Sequence, residues 1–262
     1  MRDCLADKGG DEYVDPLTAI LAAGMDTRMQ SLDLIANNIA NASSPGYKAD
    51  RERFSSYLSA AAAQAHLVGQ NTMLSEMPLI EDRYTEFRQS ALQETGVATD
   101  LALEDSGFFT VETDRGLRYT RSGAFRLASD GELRTREGYR VKVLATELPG
   151  KLSANPRLAI SIDAQGVLWQ QGHKLGLLAI TDFARPDLLR KEQGVYFAAL
   201  PGMTPHSVAA TVTSKNLETS NVDAAASSMQ LVSASREFQM LNRALQVVST
   251  AGHGLLDQVA KW

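Results

Sequence analysis

Two long runs of apolar residues at alternating spacings of three and four lie at opposite ends of this chain, separated by a turn-rich middle. A narrow apolar seam gives a helix little stability by itself. It must be buried against a partner, or the segment stays largely unfolded. Neither run has a partner nearby in sequence, so the fold must either bring the two ends together or leave them for other molecules.

The first run opens at Asp15-Pro16, an N-cap acceptor followed by proline at the first helical position. Leu21, Met25, Leu32, Ile35 and Ile39 follow, with Arg28 as the polar member of the seam. This predicts a helix from about Pro16 to Ala42, stopped by Ser43-Ser44-Pro45-Gly46. The second run begins at Ser220-Asn221-Val222-Asp223, which reads as a Ser-x-x-Asp cap. Leu231, Ala234, Phe238, Leu241, Leu245, Val248, Gly252, Leu255 and Val259 then mark about 43 Å of helix. Gly252 and Gly254 each weaken its last turns by about 1 kcal/mol relative to alanine.

Between about Leu101 and Leu200 the pattern changes to short strand candidates and tight turns. Gly107–Thr113, Leu117–Arg121, Ala124–Ala128, Glu132–Thr135 and Tyr139–Leu144 are separated by glycine-containing turns. Leu158–Ile162, Val167–Gln170 and Leu175–Thr181 continue the series. Only 6% of the residues are aromatic, few for 262 residues, and most of them fall in or beside this block. The ends use Leu, Ile, Val, Met and Ala instead, with Phe238 the one aromatic on the carboxyl-terminal seam. Phe54–Glu94, rich in Ala, Gln and Ser, reads as part extended and part helical.

The expected fold class is α+β, with amino- and carboxyl-terminal coiled-coil helices flanking a central all-β domain. The expected organisation is an acidic disordered tail over 1–15, an assembly helix and following loop over 16–59, a linker and β domain over 60–219, and a second assembly helix over 220–262. The two seams can pair within one chain or serve as surfaces shared by many copies. On the second reading, a purified monomer keeps a protease-resistant core at roughly 60–215.

Several function classes are disfavoured. The net charge of −5 argues against a nucleic-acid binder that relies on a basic surface. No stretch approaches the ~18 apolar residues that span a bilayer. Cys4 is the only cysteine, which excludes an internal disulfide framework and a Cys-rich zinc site. His66, His173, His206 and His253 are scattered, so no metal is expected. There is no Gly-rich phosphate loop and no G-x-S-x-G elbow, and no catalytic or cofactor residues are assigned. The first residues carry Asp3, Asp7, Asp11, Glu12 and Asp15 against Arg2 and Lys8, unlike a secretory signal. The chain is therefore expected to be cytoplasmic or to leave by a route without a cleaved signal.

The end of the first helix is unusual. Asn37, Asn38 and Asn41 crowd one helix end, although asparagine amides compete with the helical backbone. Three there point to amides that bond neighbouring chains or loops. The segment Ile35–Lys48 (IANNIANASSPGYK) closely resembles the amino-terminal motif of the bacterial flagellar rod and hook axial proteins. The block Ser106–Val143 resembles that family's G-F-F-x-V, Y-T-R-x-G-x-F and D-G-x-L-x-T segments. Ser220–Asp223, followed by Met229, Arg236 and Phe238, resembles its closing helix.

The resemblance implies a non-enzymatic, self-assembling subunit whose terminal helices line a tube while the β domain faces outward. It implies copies of itself and neighbouring rod proteins as partners, with no nucleic acid and no small-molecule substrate. It also implies unfolded export by the flagellar type III apparatus into the periplasm-spanning rod of the basal body. Length and a single β domain place the chain nearest a rod subunit, proximal before distal, rather than a hook subunit. The implied assembly residues are Asn37, Asn38, Asn41, Gly46, Tyr47, Lys48, Asn221, Arg236, Phe238, Leu241, Leu245 and Val248. Phe54 and Leu58 resemble the export-gate motif of early axial substrates. The alternative from another class is a soluble binding module with a helical stalk and a ligand such as a glycan on its β domain.

Overall fold

The computed structural model of the chain describes residues 16–58, 76–145, 154–192 and 194–259. The acidic segment over 1–15 lies outside the described residues. Helix α1 spans Pro16–Ala40 and helix α2 spans Ala224–Val259, as the spacing predicts. The cap of α2 differs from expectation. Asp223, not Ser220, accepts the free amides of Ala225 and Ala226, both at 3.0 Å. Ser220 instead accepts from the Val222 amide, because the chain is still turning there.

The chain divides into two units. One gathers the described parts of Met1–Asp33, Arg53–Asp82 and Met229–Trp262; the other is Leu34–Glu52 with Arg83–Ser228. The division falls within both helices, after Asp33 and before Met229. The strand Asp50–Leu58 takes the place of the expected loop and pairs with Glu76–Thr85. Between Phe54 and Glu94 the described residues contain strands and no helix.

In the first unit the helices run antiparallel. Gly24 faces Leu241, whose Cδ1 would lie 3.8 Å from an added Cβ, and Arg28 Nε reaches Glu237 Oε2 at 3.1 Å. Four residues forward on α1 thus match four residues back on α2. The ion pair is partly solvated and contributes about 0.5 kcal/mol. The buried line of α1 is not the expected seam. Thr27 and Ser31 are buried, each one residue before Arg28 and Leu32, while Leu21, Met25, Leu32, Ile35 and Ile39 are only half-buried. The Thr27 hydroxyl is satisfied inside the helix by donating to the Ala23 carbonyl at 2.9 Å.

The second unit is built from short antiparallel strands. Its largest sheet runs in the spatial order 190–192, 196–198, 116–120, 108–113, 140–141, 133–134, 126–127. A four-stranded sheet orders 143–145, 173–178, 167–170 and 161–162. The β region continues past Leu200, where 212–214 pairs with 101–103 and 216–218 with 92–94. Phe108 and Phe109 point to opposite faces of one strand, as strand geometry requires, and enter different clusters. Phe109 joins Leu101, Val111, Leu133, Leu168 and Ile180. Phe108 joins Tyr119, Phe183, Leu189 and Phe197, with the Phe87 ring edge-on to it at 5.4 Å.

Candidate functional site

Three chain segments far apart in sequence touch at two glycines. Gly46 sits at φ +68, and an added Cβ would fall 2.3 Å from the Ser122 nitrogen and 2.4 Å from the Arg121 carbonyl carbon. Its own amide donates to the Glu218 carbonyl at 2.7 Å. Gly123, in the next turn, allows no Cβ either, because the Leu101 carbonyl oxygen would be 1.7 Å away.

This close approach buries an ionic group. Lys48 Nζ donates to Glu218 Oε1 at 2.6 Å and to the Arg88 carbonyl at 2.7 Å. Both charged side chains are fully buried. Glu218 Oε1 also accepts the Ser90 amide at 2.9 Å, and Arg121 Nη1 lies 3.7 Å from Glu218 Oε2. Arg121 Cζ stands 5.6 Å from the Phe108 ring centre, close enough for cation–π attraction. Burial pulls both Lys48 and Arg121 below their ordinary pKa ranges, and the Glu218 carboxylate opposes that pull on each.

Amides and a phenol lock the surrounding chain. Asn38 pairs with both backbone groups of Asp50, donating to its carbonyl at 2.8 Å and accepting its amide at 3.1 Å. The Tyr47 hydroxyl has one proton and two acceptors in reach, Asn37 Oδ1 at 2.9 Å and Asn38 Oδ1 at 3.0 Å. Asn41 Nδ2 donates to the Asn37 carbonyl at 2.9 Å. Asn221 accepts the Ala49 amide at 2.7 Å and donates to the Glu86 carbonyl at 2.7 Å, so its side chain completes a strand-like ladder. Lys191 Nζ donates to the Lys48 carbonyl at 2.6 Å and to Asp50 Oδ2 at 3.0 Å, and stands 3.7 Å over the Tyr47 ring. Burial first, and Asp50 second, raise the Tyr47 phenol pKa; burial lowers Lys191 while Asp50 opposes it.

A family model described as the flagellar hook protein FlgE/F/G D1 domain matches residues 102–170, and one described as a flagella basal body rod protein matches residues 20–48. The flagellar basal-body rod protein FlgG of Bacillus subtilis is 31% identical over 83% of this chain and 89% of its own length. The chain belongs to the flagellar rod and hook protein family. FlgF of Rhizobium meliloti is 30% identical over 79% of this chain and 82% of its own length. The hook protein FlgE of Helicobacter mustelae is 36% identical, but over 46% of this chain and 28% of its own length. The chain is thus a structural axial subunit of that family. Lys48 ends the first family match and Arg121 lies inside the second; Glu218, outside both, bridges them.

Of the expected assembly residues, Asn37, Asn38, Asn41, Gly46, Tyr47, Lys48 and Asn221 meet in this one rod-and-hook node. Asn38 and Tyr47 are buried and bond within the chain, so of the neighbouring chains or loops that the asparagines point to, Asn38 reaches a neighbouring segment of its own chain. Arg236, Phe238, Leu241, Leu245 and Val248 lie apart from the node on α2; Arg236 is exposed and the other four are half-buried. Phe54 and Leu58 fall in the strand Asp50–Leu58.

Sequence reasoning does not reach Glu218 or Lys191, and it gives Arg121 no role beyond its place in the Y-T-R segment. The Y-T-R segment was the available signal for Arg121. Glu218 has none: Leu217 and Glu218 are adjacent and both buried, which defeats a simple alternation reading. Among the described residues no three His, Cys, Asp or Glu side chains group to hold a metal ion, and no helix is long and apolar enough to cross a membrane.

Asn221→Ala leaves the Ala49 amide and the Glu86 carbonyl without these partners. It is expected to cost about 2 kcal/mol, read as a shifted urea midpoint with an unchanged slope.

Proposed function

We propose that this chain is a rod subunit of the bacterial flagellar basal body, nearest the proximal rod, with distal rod or hook-type subunit as the alternative position. Its terminal helices form a coiled-coil tube with those of other copies and of neighbouring rod proteins, and the tube transmits torque. It is exported unfolded through the flagellar type III gate, with Phe54 and Leu58 as its gate-contacting residues, and it resides in the periplasm-spanning rod. Rod relatives aligned along most of their length support the rod position over the hook, since the FlgE match covers 28% of that protein.

The observation that carries assembly is the state of the α2 seam. Phe238, Leu241, Leu245 and Val248 are only half-buried in a single copy. Apolar surface left there gains about 25 cal/mol per Å² when neighbours cover it. Leu241→Asp or Leu245→Asp puts a carboxylate into that contact and is expected to weaken association by about 3 kcal/mol. The melting of the β-rich unit stays at the wild-type temperature while swimming is lost. Normal motility in either variant contradicts the reading.

A further inference from the structure

The outer faces of the two helices carry complementary stripes. At about 100° per residue, Asp26, Met29 and Asp33 fall within about 60° of each other on α1, opposite Gly24, which faces Leu241. Arg236, Met240 and Arg243 fall within a similar arc of α2, turned well away from Leu241. All six side chains are exposed, with Met29 at 48% and Met240 at 61%. Among the described residues, Asp33, Arg236 and Arg243 have no ion-pair partner, and Asp26 accepts only the neutral Gln30 amide, at 2.8 Å.

Each stripe is one methionine between two like charges, and the stripes bear opposite sign. The spacing on α1 is three then four, and on α2 four then three. The levels therefore coincide only when the helices run in opposite directions, pairing Asp26 with Arg243, Met29 with Met240 and Asp33 with Arg236. Within one copy α1 and α2 are antiparallel. Copies packed side by side and pointing the same way hence present α1 antiparallel to the α2 of a neighbour.

We propose that the acidic stripe of α1 docks, antiparallel, on the basic stripe of α2 in a second copy of this chain. The contact uses a different patch on each partner, so every bound copy keeps one free stripe of each kind, and the contact propagates into a ring or helix. The proposal rests on the terminal helices being assembly surfaces and names how they meet.

The test uses full-length chains in sedimentation velocity, with circular dichroism confirming helix content. The Arg236→Glu/Arg243→Glu chain has two acidic stripes, and the Asp26→Arg/Asp33→Arg chain has two basic ones. Each alone is expected to associate at least about tenfold more weakly than wild type, and an equal mixture to recover association by strict alternation. The uncharged Arg236→Gln/Arg243→Gln chain falls between and loses the salt dependence of wild type. If wild type associates and a charge-reversed chain associates equally well alone, or the mixture does not recover, this docking is wrong while the assembly reading stands. If wild type does not associate at any concentration, both fail.

Discussion

Gly46→Ala is expected to lower the stability of the β-rich unit by about 3–5 kcal/mol, seen as a fall of about 10 °C in melting temperature. Two effects add. The residue sits at φ +68, a conformation that costs a side-chain-bearing residue about 1 kcal/mol. Contact with backbone costs more. The new Cβ would lie 2.3 Å from the Ser122 nitrogen, so the turn carrying Arg121 must move. That motion separates Arg121 from Glu218 and opens the buried group. Gly172→Ala is the control: its φ is +81, but no atom lies within 4 Å of the added Cβ. It should cost only about 1 kcal/mol. Equal losses at the two positions would show that close approach at Gly46 is unimportant.

Glu218→Ala is expected to be comparably severe, at about 3–5 kcal/mol. It strands two buried cations, Lys48 and Arg121, and takes the acceptor from the Ser90 amide. Lys48→Met should cost less, because Glu218 then keeps Arg121 and Ser90. The ordering in urea denaturation decides the matter; Lys48→Met as the worse variant would contradict the geometry. The pH dependence follows from Lys48. Burial holds its pKa below the unfolded value, so protonation favours the unfolded chain. Its contribution to stability therefore rises with pH from the folded pKa toward the unfolded one. Without Glu218 the ammonium is lost more readily, and the gap between variant and wild type narrows as pH climbs toward the lysine range.

The parts of this fold legible in sequence are those with many repeated local signals. Both helices are long, and each turn adds another residue to the pattern, so their extents emerge well. Which line of α1 is buried does not: Thr27 and Ser31 are polar, yet they are buried while Met25 and Leu32 are only half-buried. The glycine and amide motifs at Asn37–Lys48 and Asn221 were visible, but their common destination was not. That destination depends on strand register, in particular 216–218 against 92–94, which brings Glu218 to the end of the Lys48 side chain. The strands after Leu200 were missed because they are two or three residues long, too short to establish a period.

The node ties the inner ends of both helices to the β-rich unit. Asn38 and Tyr47 fix the end of α1, Asn221 and Asp223 fix the start of α2, and both junctions share the residues around Glu218.

The most direct test of the proposed rod position is electron microscopy of basal bodies from cells in which the gene for this chain is deleted. The expected result is a truncated or absent rod and loss of swimming, both restored by the wild-type gene. Complete rods with normal swimming in the deletion strain would contradict it.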